Sequence, residues 1–235
     1  MLRHSADEIG TVMDIHLTSL EEPMFTRMRS CASRNTRSMR PLGVAAFCAA
    51  LVAVTPAAAQ AQTVTDPDTV GDVITFNEDD AAVPVPERTL NDVSATTLTH
   101  SARRVAIRLQ YVDLSKRADD YQGLFIAVVT DEGVRRRVSL DAWRGHWSGE
   151  TQMYGGNYRD VRCAVRHDSD YEANTMKVSF PRRCASNPRW VKFRAVAYAQ
   201  GEDGYFADDA LRNRPIDSQS GHLKSSGRIH REAAS

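Results

Sequence analysis

Apolar and polar residues alternate in short runs between residues 91 and 198, the pattern that antiparallel β-strands with one buried face produce. The clearest run is Arg103 to Tyr111, in which Val105, Ile107 and Leu109 point one way while arginine and glutamine side chains point the other. It follows the β-branched run Asp92 to His100 after a two-residue break. These two runs predict a β-hairpin.

Five further runs extend the pattern, namely Gly123–Thr130, Val134–Leu140, Val161–Val165, Met176–Phe180 and Trp190–Tyr198. The first is continuously apolar, as expected of a strand covered on both faces. Short segments rich in Asp, Glu, Gly and Asn separate the first run from the second and the third from the fourth, which predicts two more hairpins. We therefore expect an all-β fold, a single antiparallel β-sandwich of about seven or eight strands.

A different apolar segment lies near the N-terminus. Leu42 to Val54 is uninterrupted, follows several arginines and ends in small residues, as in a secretory signal peptide. The run is much shorter than the roughly 20 residues needed to span a membrane. We predict a signal peptide at residues 28–61, cleaved after Ala59 or Ala61, and hence a secreted, extracellular protein without a membrane span after cleavage.

The other boundaries follow from composition. Residues 1–27 are acidic where a signal should be basic, which predicts a misassigned upstream extension with Met28 as the true start. Residues 62–90 are expected to be an irregular lead-in and residues 91–200 the β-sandwich body. Residues 201–235 are polar and predict a partly disordered tail, in which Leu211, Leu223 and Ile229 are the apolar anchors.

Two of the four cysteines, Cys163 and Cys184, lie outside the predicted signal peptide. In an oxidising compartment they predict one disulfide, which would stabilise the fold by roughly 3 kcal/mol by closing a loop of about 20 residues. The net charge does not indicate a class of partner. The 30 basic and 30 acidic residues cancel, so nucleic acid is not expected to bind.

No catalytic motif stands out. The chain has no G-x-S-x-G nucleophile motif. Its histidines lack the spacing of a helical zinc site. The acidic pairs Asp79-Asp80, Asp119-Asp120 and Asp208-Asp209 point to opposite faces of an extended chain, so we interpret them as solvated turns. We predict no cofactor and no metal, and leave the question of an enzyme open with the expectation that it is not one.

The acidic segment Asp66 to Asp72 has two interpretations. Several carboxylates around Gly71 could supply the oxygen ligands of a calcium ion, although the spacing is not that of an EF-hand loop. The interpretation we prefer from the sequence is an acidic turn, with calcium binding as the alternative.

Aromatic residues are densest between Trp143 and Tyr158, interleaved with glycines. This texture predicts a loop whose flat rings could stack on sugars, so the candidate ligand-binding residues are Trp143, Trp147, Tyr154 and Tyr158. The competing interpretation is that the two tryptophans cover one end of the core, since large aromatic side chains are usually mostly buried.

Three groups of residues carry a resemblance to a known class: Asp68–Asp72; Asn91–Val93 with Ala102–Val105; and Asp170 to Cys184 followed by Asn187–Val191. Together they resemble small secreted bacterial β-sandwich proteins of unknown function, which are distantly similar in layout to family 9 type carbohydrate-binding modules. The resemblance implies a sandwich architecture and, at most, a carbohydrate ligand. It transfers no functional residue.

The sequence thus predicts a secreted non-catalytic β-sandwich protein that binds a glycan or a cell-envelope component. The alternative is an extracellular protein–protein interaction module with a secreted protein as partner. An unrecognised hydrolase is the third candidate, and it would need a polar cleft that joins distant carboxylates or a Ser-His pair.

Overall fold

The computed structural model describes residues 61–77, 79, 81–116, 121–202, 204–216 and 223–231, which form two antiparallel β-sheets. The predicted upstream extension and almost all of the predicted signal peptide lie outside the described residues. In chain order the strands are β1 (Gln62–Pro67), β2 (Ile74–Phe76), β3 (Ala82–Pro84), β4 (Val93–His100), β5 (Arg104–Tyr111), β6 (Tyr121–Thr130), β7 (Arg135–Trp143), β8 (His146–Gly155), β9 (Arg166–Asp170), β10 (Thr175–Pro181), β11 (Trp190–Gly201), β12 (Gly204–Asp208) and β13 (Ile229–His230).

The smaller sheet has five strands in the order β1-β4-β5-β10-β9, and the larger sheet has the order β3-β2-β12-β11-β6-β7-β8, with β13 paired to β11. The core fills the space between the inner faces of the two sheets. On β5, Val105, Ile107 and Leu109 are at most 1% exposed, because the alternating pattern places all three on the inner face. The all-β sandwich expected from the sequence is confirmed.

The continuously apolar run predicted as a doubly covered strand is β6, which lies between β11 and β7 in the middle of the larger sheet. The predicted hairpins β4–β5 and β6–β7 are both present. In the second hairpin, Gly133 has a φ of 75°, a conformation that side chains with a Cβ rarely adopt.

The predicted disulfide joins Cys163 to Cys184, with a Cα–Cα distance of 6.0 Å. Cys184 lies in a short 3-10 helix, Arg182–Ala185, where the sequence had suggested a single helical turn. Cys163 is not in a strand, in contrast to the prediction for Val161–Val165. That segment is irregular and packs on the core through partly buried side chains, and β9 begins only at Arg166.

Three segments are more ordered than their sequences suggested. The lead-in at residues 62–90 contains β1, β2 and β3, and the aromatic segment predicted as a loop is mostly the edge strand β8. Two of these strands have only three residues, too few to show a period, while β1 and β8 are edge strands whose polar outward residues obscure the apolar ones.

The predicted tail also contributes to the fold. It supplies β12 to the larger sheet and β13 to the end of β11, and Leu211 and Ile229 are each 2% exposed. Ser226 is buried, and its hydroxyl accepts a hydrogen bond from the Phe193 amide at 2.9 Å. The sandwich therefore extends beyond residue 200. Within the described ranges, no helix is long and apolar enough to span a membrane.

Candidate functional site

The outer face of the larger sheet carries a line of aromatic side chains, one from each of five adjacent strands. We call it the aromatic row; its members are Phe76 on β2, Tyr205 on β12, Tyr198 on β11, Tyr121 on β6 and Trp143 on β7. Successive side chains of a strand point to opposite faces. Leu124 of β6, Leu140 of β7 and Ala197 of β11 belong to the core. The row residue of each of these strands is an odd number of positions away and therefore points outward.

Neighbouring rings in the row are close and nearly parallel. Ring centroids are 6.0 Å apart for Phe76 and Tyr205, 6.3 Å for Tyr205 and Tyr198, and 5.9 Å for Tyr198 and Tyr121, with interplanar angles of 15–28°. Trp143 is the cross-strand partner of Tyr121, and its ring stacks on His146 at 5.0 Å. Four rings of the row are therefore stacked one after another across β2, β12, β11 and β6, and Trp143 extends the row to β7.

Asp141 on β7 holds two rings of the row in place. The hydroxyls of Tyr121 and Tyr198 both donate to its Oδ1 atom. Burial and the nearby Asp141 carboxylate raise the pKa of both tyrosines above the ordinary value, so both hydroxyls keep their protons as donors at neutral pH. Gly123 makes room for this arrangement, since a Cβ there would lie 2.5 Å from the Tyr198 hydroxyl oxygen.

The four aromatic residues predicted from the sequence as ligand-binding are not brought together. Trp143 belongs to the aromatic row, but Trp147 packs against the core on the opposite face of the sheet, where its ring lies edge-on to Tyr171 at 6.1 Å. This position agrees with the competing interpretation that a tryptophan covers one end of the core. Trp147 and Trp143 therefore cannot line one groove.

Tyr154 and Tyr158 lie near the other end of the β7–β8 pair. Tyr154 is the cross-strand partner of Arg137, six residues from Trp143 along β7, or about 20 Å. Tyr158 follows β8, and the Arg137 guanidinium lies 3.8 Å from the centre of its ring. These two tyrosines are thus separate from the aromatic row.

A second constellation lies between the sheets and consists of buried carboxylates. Asp72 lies in the connection from β1 to β2, Asp92 directly precedes β4 and Asp208 ends β12. One oxygen from each lies within 4.8 Å of the others, and the three residues are 3%, 0% and 1% exposed. We call these three residues the carboxylate centre.

Two backbone amides orient the carboxylate centre. The amide of Gly71, at a φ of 87°, donates to Asp92 Oδ2 at 2.9 Å, and the amide of Val93 donates to Asp208 Oδ2 at 2.7 Å. Within the described part of the chain, the remaining oxygens, both of Asp72 and the Oδ1 atoms of Asp92 and Asp208, are buried and accept no hydrogen bond from another residue. Buried polar atoms without a partner are uncommon in folded proteins.

The pKa values of these carboxyl groups are raised because the groups are buried close together. Burial and the neighbouring Asp92 charge raise the pKa of Asp72 to about 7. Burial and the charge of Asp72 raise the pKa of the half-buried Asp68 to about 8. The same two causes raise the pKa of Asp208 well above its ordinary range, while burial raises that of Asp92.

The carboxylate centre was not predicted as a unit. The segment containing Asp72 was interpreted as an acidic turn in preference to a calcium site. Asp208-Asp209 was interpreted as a solvated turn, whereas both residues are 1% exposed. The apolar residues Ala207, Ala210 and Leu211 around this pair were the available signal that it is buried. No pattern in the sequence around Asp92 indicated that this residue belongs to a carboxylate cluster.

Comparison with known proteins adds no assignment. No family model, curated protein or solved structure matches the chain.

Proposed function

We propose that this protein is a secreted, non-catalytic β-sandwich protein that binds a glycan or another cell-envelope component through the aromatic row. The observation that supports the proposal is the row itself, in which five aromatic side chains from adjacent strands share one face of the larger sheet. Aromatic rings offer flat apolar surfaces on which the C–H faces of sugar rings can pack. The disulfide supports the secreted part of the proposal, since such bonds persist in oxidising compartments.

The dimensions of the row suit an extended ligand. It crosses four inter-strand steps of about 4.8 Å each, a width of about 19 Å. Phe76, Tyr205, Tyr121 and Trp143 are each partly exposed, while Tyr198 is 2% exposed and stacks between Tyr205 and Tyr121. An oligosaccharide lying across the strands would therefore meet several rings, and a single sugar would meet only one or two.

Polar groups lie beside the rings, as carbohydrate recognition requires. Gln200 is exposed and is the cross-strand partner of both Tyr205 and Tyr121, so its amide stands between these two rings on the same face. Glu150 is exposed opposite Asp141, next to the Trp143 end of the row. An amide and a carboxylate at these positions can hydrogen-bond the hydroxyls of a bound sugar.

The test is binding of the full chain to soluble glycans and cell-wall fragments by affinity gel electrophoresis, which does not depend on tryptophan as a reporter. We expect retardation by at least one polysaccharide and at least a tenfold loss of affinity in Trp143→Ala and in Gln200→Ala. Trp147→Phe is the matched control, because Trp147 faces the core, and this variant should bind as the wild type does.

Two results would contradict the proposal. A folded wild-type protein that binds nothing across the panel would shift the assignment to the alternative, a protein–protein interaction module, to be pursued by crosslinking. Equal losses in Trp147→Phe and Trp143→Ala would show that the aromatic row is not the binding surface.

A further inference from the structure

We propose that Asp72, Asp92 and Asp208 bind a calcium ion between the two sheets, with Asp68 as an additional carboxylate beside them. The inference is independent of the aromatic row. It rests on three carboxylates that converge to within 4.8 Å of one another, are almost fully buried and, within the described part of the chain, together keep four oxygens without a hydrogen-bond partner.

The neighbouring Asp209 shows what a buried carboxylate in this fold looks like when its partners come from the protein. It is as buried as Asp208, but it accepts hydrogen bonds from the Lys224 amide at 2.7 Å and the Arg212 guanidinium at 3.3 Å. Among the described residues, Asp208 has one such partner and an Oδ1 without a partner, and no other residue donates a hydrogen bond to either oxygen of Asp72. Asp72 and Asp208 are thus about as buried as Asp209 but have fewer hydrogen-bond partners among the described residues.

Burial of several negative charges together is costly unless an opposite charge compensates them. Asp72, Asp92 and Asp208 are each at most 3% exposed, and one oxygen of each lies within 4.8 Å of the others, so the ionised carboxylates would lack hydration and repel one another. A divalent cation at the centre would compensate for both effects, because it replaces lost hydration and neutralises the mutual repulsion.

The ligand set favours calcium over other ions. Among the described residues, the converging groups are all carboxylates, without histidine or cysteine, as hard cations require. Oxygens on opposite sides of a calcium ion are about 4.6–5.2 Å apart, so a spread within 4.8 Å fits its coordination sphere. Magnesium requires a tighter octahedron and usually retains several waters, which a centre of nearly inaccessible side chains does not favour.

The proposed ion would join the two sheets. Asp92 lies at the start of a strand of the smaller sheet, Asp208 at the end of a strand of the larger one, and Asp72 in the connection between them. The carboxylates are too buried to meet a polymeric substrate, so the centre fits a structural ion. We expect it to fasten this end of the sandwich and to set the position of β12, which carries Tyr205 of the aromatic row.

The test is thermal unfolding and calorimetric titration of the full chain after removal of metals with EDTA. We expect one calcium ion to bind per chain and to raise the unfolding temperature by about 5–10 °C at roughly a hundredfold excess over Kd, with a smaller shift for magnesium. Asp72→Asn should lose the calcium response. In EDTA it should be at least as stable as the wild type, because one buried charge has been removed.

Asp209→Asn is the matched control, since it changes an equally buried acid that already has protein partners, and its calcium response should persist. A folded wild-type protein without a calcium response would overturn the proposal, as would an unchanged response in Asp72→Asn. A larger shift with magnesium would overturn the assignment of calcium. If Asp72→Asn does not fold, the wild-type titration still decides.

Discussion

Replacing Gly123 with alanine tests how the aromatic row is built. Gly123 is the third residue of β6 and the cross-strand partner of Tyr198. A Cβ at this position would be 2.5 Å from the Leu140 carbonyl oxygen, 2.5 Å from the Tyr198 hydroxyl oxygen and 2.6 Å from its Cζ. Ordinary contacts of a Cβ begin near 3.4 Å, so the new methyl group is about 1 Å too close to each. The Tyr198 ring must therefore move off the strand.

The expected loss of stability combines three effects. Overpacking in a well-packed site costs about 1–3 kcal/mol. Displacing Tyr198 also weakens its hydrogen bond to the Asp141 carboxylate, worth about 1.5–3 kcal/mol. Alanine regains about 0.4–1 kcal/mol by restricting the unfolded chain. We expect a net loss of about 2–4 kcal/mol, or a fall in the unfolding temperature of about 5–15 °C.

The assay is thermal and urea unfolding followed by circular dichroism. Gly227→Ala is the control, because Gly227 is exposed and no atom of the described residues lies within 4 Å of its added Cβ, so it should be neutral to within about 0.5 kcal/mol. In a Tyr198→Ala background the cost of Gly123→Ala should fall by at least about 1 kcal/mol. Unfolding of Gly123→Ala at the wild-type temperature, or an equal loss of stability with and without the Tyr198 ring, would refute the proposed clash.

Two further predictions concern other parts of the fold. Changing Cys163 and Cys184 together to serine should cost about 3 kcal/mol, measured as a lower urea midpoint that no longer responds to reducing agent. His100 is fully buried, with Nδ1 3.0 Å from the Ile229 carbonyl oxygen, and burial lowers its pKa below the ordinary 6.5. The folded state therefore binds a proton at His100 less readily than the unfolded chain, so the free energy of unfolding falls as the pH drops below 6.5. His100→Gln should lack this loss between pH 8 and 5. Equal pH dependence of stability in both proteins would contradict the role given to His100.

The sequence predicted the strands that are long and have one buried face. In β5 and β10 the apolar residues recur at every second position over seven or eight residues, which is enough for the period to be recognised. β2 and β3 are too short for that, and β8 is an edge strand interrupted by Gly149. β12 follows the polar end of β11 so closely that its sequence resembled the start of a tail.

The two candidate sites depend on pairing between distant strands, which local patterns do not contain. Asp72, Asp92 and Asp208 meet because β12 pairs with β2 while β4 lies in the opposite sheet. Each residue of the aromatic row comes from a different strand, so the row has no period along the chain. Of the residues in the aromatic row, only Trp143 was predicted from the sequence as ligand-binding. It was expected in a loop, whereas the structure places it in the β7–β8 hairpin.

The first and last described strands meet at one corner of the sandwich. The Gln62 side chain accepts a hydrogen bond from the His230 amide, and β13 lies beside both β1 and β4. A linker of a few residues could therefore join positions 61 and 231, and new termini could be opened at the turn of Asp131 and Gly133. Such a circular permutant should keep every strand pairing described above. In the unpermuted domain, fusion partners attached at positions 61 and 231 would leave from the same side.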